Sequence, residues 1–163
     1  MRLRAILFAP LMLLAASAPD HFTSGLWQGK ASFDDEGQFS DCSMAMTSDT
    51  KVQLGFVITS DSDFGLLVAD ETLRLKPGTR KAVLLLMDGQ EPIPVMARVV
   101  DVHGLLVPLQ SSKSVVETIR KAKNLRVSIS EKEFSFGVRG INSAIEALIE
   151  CVKAHKGTSR VEL

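Results

Sequence analysis

Residues 82–100, AVLLLMDGQEPIPVMARVV, limit this chain more than any other stretch. They form an apolar run, a turn and a second apolar run. Residues 82–87 are too few to cross a bilayer, and their number suits a strand buried on both faces. Asp88-Gly89 follows at once. Asp-Gly between apolar runs predicts a hairpin, because glycine takes a positive φ without a Cβ clash. Pro92 and Pro94 bring no amide donor, so the returning strand is expected at a sheet edge, or regularly paired only beyond Pro94. Such a strand needs cover, and the remaining elements are expected to supply it.

Most of those elements read as strands, at residues 26–33, 39–46, 52–58, 64–69 and 104–109. In the second of these, Cys42, Met44 and Met46 share one face and Asp41, Ser43 and Ala45 the other, the period-2 signature of a half-buried strand. Asp34-Asp35-Glu36-Gly37, Asp61-Ser62-Asp63 and Pro77-Gly78 read as turns. Residues 19–25 carry no pattern and are expected to be loosely ordered. The period then changes. Val115, Val116, Ile119 and Ala122 recur at helical spacing behind a Ser114-x-x-Glu117 capping box. After two further strands, at residues 125–129 and 134–138, a last helix is led by Gly140. Its stripe is Ala144, Ala147, Leu148 and Cys151, widened by Ile145 and Val152, with a second capping box at Ser143-x-x-Glu146. Lys153, His155 and Lys156 fall in its final turn, where positive charge complements the helix dipole. The helices come late and do not alternate with strands. The expected class is therefore α+β: mainly an antiparallel β-sheet or sandwich, with one short helix and a C-terminal helix.

The 163 residues divide in three. Residues 1–18 have the form of a secretory signal peptide, with Arg2 and Arg4 ahead of an apolar segment and Ala16-Ser17-Ala18 at the cleavage position; the alternative is a retained anchor. Residues 19–157 are expected to form a single β-rich domain, and residues 158–163 a disordered tail. Without Arg2 and Arg4 the acids slightly exceed the bases. No basic stripe remains, which argues against nucleic acid, and no membrane span is expected in the mature chain. Cys42 and Cys151, the two cysteines, both lie in the exported part, where disulfides form and persist. Their pairing would close a loop of about 110 residues, worth roughly 4–5 kcal/mol in the chain-entropy treatment. The alternative is two buried thiols. Two cysteines are too few for a zinc centre, and no histidine is read as completing one.

The layout resembles a known family. An early cysteine-bearing strand is followed by Leu73-x-Leu75-x-Pro77-Gly78, by Leu86-x-Asp88-Gly89 with Pro92 and Pro94, by a capped short helix and by a closing strand. Over roughly residues 40–152 this is similar to the invasion-associated locus B type of small exported bacterial protein. That family's further cysteines after the Asp-Gly hairpin are absent here. The resemblance implies a periplasmic or envelope-associated, non-enzymatic β-rich domain, with no active-site residues to carry over.

Chemical leads are few. Ser48-Asp49-Thr50-Lys51 has the Ser-x-x-Lys spacing of penicillin-recognising enzymes, but it falls in a turn between strands and lacks the partner motifs. His21, His103 and His155 are scattered, and no Gly-x-Ser-x-Gly elbow occurs; His103 reads as a solvated turn residue. Asp61 and Asp63, with Asp70 and Glu71, do not match a calcium loop. Met44 and Met46 beside Cys42 could offer soft ligands to copper, though core packing explains them. No catalytic, cofactor or metal residues are therefore assigned. The expected function is a periplasmic or secreted protein that binds an envelope protein or supports an assembly. Two alternatives stand beside it: a periplasmic hydrolase with a site of scattered residues, and an inhibitor of a cell-wall enzyme.

Overall fold

Alternating or continuously apolar segments bounded by turns form β1 (His21–Ser24), β2 (Trp27–Phe33), β3 (Phe39–Thr47), β4 (Gln53–Thr59), β5 (Phe64–Ala69), β6 (Arg80–Met87), β7 (Ile93–Asp101) and β8 (Gly104–Pro108). Then come α1 (Lys113–Lys121), β9 (Asn124–Ile129), β10 (Lys132–Gly137) and α2 (Ile141–His155). The computed structural model describes residues 19–109 and 113–157; the expected signal peptide and tail lie outside the described residues. The ten strands form one antiparallel sheet in the order β1-β2-β3-β4-β5-β8-β7-β6-β9-β10. With its short helix and its C-terminal helix, the fold is α+β.

One face of this sheet makes the core. Trp27, Met44, Leu54, Phe56, Leu66, Leu85, Leu105 and Val127 all point into it and are almost fully buried. Trp27 packs on Phe56 with ring centroids 5.6 Å apart, and Phe56 stacks on Phe64 at 5.7 Å. Helix α2 packs mainly on β1 to β4 and touches α1. The inner residues of β6 to β9 are buried in the same cluster, together with Val115 and Ile119 of α1. Helix α2 contributes Ile141, Ala144, Ile145, Leu148, Cys151 and Val152 to the core. The Cys42–Cys151 disulfide then joins the inner face of β3 to this helix.

Several expectations are corrected. Residues 19–25 are not loosely ordered: β1 pairs with β2, from His21 opposite Lys30 to Ser24 opposite Trp27, through a turn in which Gly25 has φ 60°. A Cβ on Gly29 would lie 2.0 Å from the Phe22 ring, so the missing side chain is what lets that ring pack inward. Strand β6 is buried on one face only. Val83, Leu85 and Met87 point inward, while Ala82 and Leu84 are exposed and Leu86 is half-buried. Strand β7 starts at Ile93, before Pro94, which sits opposite Leu84. Pairing of β7 with β8 begins only at Arg98, so Pro94 lies where β7 has β6 as its single paired neighbour. Neither expected capping box forms. Helix α1 already begins at Lys113, and α2 starts from Gly140 in the left-handed region, with φ 80° and no side-chain cap. Glu146 instead accepts hydrogen bonds from Arg120 (3.2 Å) and Asn142 (3.0 Å), tying the two helices.

Candidate binding face

With the inner face consumed by the core, the outer face of the sheet is what remains to present. Opposed residues of antiparallel strands point to the same side, so the register defines this face. Arg80, Arg98, Leu106, Leu67, Gly55 and Ala45 form one row across β6, β7, β8, β5, β4 and β3. The next row pairs Ala82 with Met96, and Pro108 with Gly65 and Val57. On β6 and β7, Leu84 is 42% exposed and Met96 54%; Val100 and Val102 are exposed on the other side of the arginine row, toward the β7–β8 turn.

Because β7 and β8 stop pairing beyond Arg98 and Leu106, the face opens there into a groove of about 470 Å³. Gly65, Ala97 and Leu106 line it beside Val57, Phe64, Met96 and Pro108. Arg80 and Arg98 come from the β6–β7 side of the lining, and Thr59 and Asp63 from the β4–β5 side. The two arginines face each other directly across the β6–β7 pair. The ion pairs found among the described residues involve other cations.

The residues singled out from sequence go elsewhere. Ser48 spends its hydroxyl on the β3–β4 turn, accepting from the Val52 amide at 3.2 Å and bonding Thr50 Oγ1 at 2.9 Å. His21 lies on edge strand β1. His103 occupies the β7–β8 turn, where Nδ1 donates to the Leu73 carbonyl at 3.0 Å and its amide donates to Asp101 Oδ1 at 2.9 Å. Asp63 alone of the acidic turn residues reaches the groove. Asp70 accepts from the Thr72 hydroxyl and amide, and the hydroxyl bond is the main reason its carboxyl is held below the usual range. Met44 and Met46 are buried in the core.

Two local arrangements were not anticipated. Asp88 and Gly89 take φ 47° and 75°, closing the expected hairpin with a Gln90 N–H to Met87 carbonyl bond of 2.9 Å. The Asp88 carboxylate also reaches across to accept from the amides of Lys123 (3.0 Å) and Asn124 (2.9 Å) at the α1–β9 junction. These bonds, the Lys123 amide first, hold its carboxyl below the usual range. His155 is not a solvated last-turn cation: it is 5% exposed, stacked on Phe39, edge-on to Phe33, and its Nδ1 donates to the Cys151 carbonyl at 2.9 Å. Its Nε2 lies 3.5 Å from Asp20. A histidine thus does stand beside the disulfide, four residues from Cys151, and the sulfurs and ring lie within 4.8 Å of one another. With the sulfurs bonded to each other, the cluster packs rather than ligates. The signal was present in the sequence, since residue 155 continues the stripe of residues 144, 148 and 151.

The fold has a counterpart among solved structures. The chain is folded like invasion associated protein B from Bartonella henselae. The two share 22% sequence identity and superpose with a TM-score of 0.57, over 82% of this chain and 97% of that one. At this identity the likeness is one of fold. No family model matches the chain, and no curated protein does. Among the described residues, no helix is long and apolar enough to cross a membrane.

Proposed function

We propose that this protein is a non-catalytic, exported binding protein that holds an envelope partner on the outer face of its sheet. The observation that carries the reading is the set of exposed apolar side chains on the outer side of β6 and β7, Leu84, Met96 and Val100, with Val102 in the turn that follows. Exposed apolar side chains grouped on one sheet face in this way, here around the Arg80–Arg98 pair, suit an interaction site. Export is supported by the signal-peptide pattern of residues 1–18 and by the Cys42–Cys151 disulfide, a bond that persists in oxidising compartments. The fold shared with invasion associated protein B agrees with this reading.

The test is capture from envelope extract on immobilised chain beginning at Pro19, in parallel with a Leu84→Asp, Met96→Asp double variant. Both substituted side chains are exposed, so the variant keeps the melting temperature of the parent. A partner retained by the parent and lost by the variant supports the reading. Equal retention by both, or turnover of an ester or glycan panel by the parent, defeats it.

A further inference from the structure

We infer that the groove between β7 and β8 takes an extended peptide segment of the partner, with one acidic side chain lying across Arg80 and Arg98 and apolar residues on either side of it. This rests on the reading of the outer face as partner-binding, and it names what the partner must present. Arg80 and Arg98 are directly opposed in the β6–β7 register, and like charges in that relation repel. No carboxylate forms an ion pair with either among the described residues. A carboxylate laid between the two guanidinium groups removes the repulsion and gains charge-assisted hydrogen bonds, in the planar geometry that arginine favours.

The surroundings specify the rest. Met96, Leu106 and Pro108 make the groove beside the arginines apolar, so the acidic residue needs apolar neighbours. The groove is about 470 Å³, within the usual range for ligand clefts, and it is continuous with the exposed β6–β7 surface. Along its wall, β7 is paired with β6 but, before Arg98, not with β8. That stretch of backbone suits an added extended chain better than a compact anion. Asp63, on the β4–β5 side of the groove, disfavours a second acidic residue there.

The probe is an immobilised array of amidated pentapeptides with glutamate at the centre and apolar residues around it, each beside its glutamine counterpart. It is overlaid with the labelled chain beginning at Pro19. Glutamate peptides are expected to be retained about tenfold or more tightly than their glutamine counterparts, as a charge-assisted bond implies, with the preference shrinking in high salt. An Arg80→Gln, Arg98→Gln variant, checked for unchanged thermal unfolding, should lose the preference. Equal retention of the two series, retention of neither, or a preference that survives in the variant overturns the inference, as does binding to phosphatidylglycerol vesicles without any peptide preference. Capture of an envelope partner that depends on Leu84 and Met96 but not on the arginines would leave the proposed function standing and remove this inference alone.

Discussion

Replacing Cys42 and Cys151 together by alanine probes the bond that joins β3 to α2. The two residues are 109 apart in sequence, and cross-linking a loop of that size restricts the unfolded chain by about 4.7 kcal/mol in the chain-entropy treatment. The sulfurs are also buried, Cys42 completely, so their removal adds roughly 1–2 kcal/mol of lost packing. The loss of about 6–7 kcal/mol is set against a stability of about 5–15 kcal/mol for a domain of this size, so the double variant should lose about half or more of its stability and melt roughly 12–28 °C lower. Trp27, the one tryptophan, is buried and reports urea unfolding directly by its fluorescence. Two features of that curve are diagnostic. The midpoint falls, and the slope rises, because an unfolded chain without the cross-link exposes more surface. The parent under reducing conditions should approach the variant. A loss below about 2 kcal/mol with an unchanged slope would refute the idea that the bond acts by confining the unfolded chain.

Three further outcomes are expected. The Asp88 carboxyl is held low by the Lys123 and Asn124 amides, so its contribution to stability is present above its unfolded value of about 3.9 and is lost as pH falls through the folded value. Asp88→Asn tolerates the positive φ and should flatten the acid limb of the urea midpoint against pH; an unaltered limb contradicts the assignment. Gly140→Ala meets no atom within 4 Å but must hold φ near 80°, so equilibrium unfolding should show a loss of about 1–2 kcal/mol from backbone strain alone. His155→Ala empties the space between Phe33 and Phe39 and should cost roughly 2–4 kcal/mol by the same measurement, where a solvated last-turn histidine would cost almost nothing.

The parts of the fold legible in the sequence were those with a strong period. Cys42, Met44 and Met46 alternate and line the inner face of β3, and the apolar stripe of residues 144–152 is the buried side of α2. Strand β1 was hidden because Phe22 is its one large apolar residue, and its place depends on a glycine in the neighbouring strand. The capping boxes misled because a left-handed glycine starts α2 three residues before Ser143. The candidate face was concealed for a different reason. In residues 82–87 the outward Ala82, Leu84 and Leu86 are as apolar as the inward Val83, Leu85 and Met87, so an unbroken apolar run reads as a strand with two covered sides. The arginine pair is separated by the whole β6–β7 hairpin, and only the register sets Arg80 against Arg98.

The placement of the disulfide bears on how the molecule is made. A chain synthesised from its N-terminus displays Cys42 while the helix that carries Cys151 does not yet exist. Throughout that interval the early thiol has no legitimate mate, and since the sequence holds one other cysteine, the only wrong covalent match open to it is with a different molecule. The bond within the molecule therefore cannot close before α2 has been made.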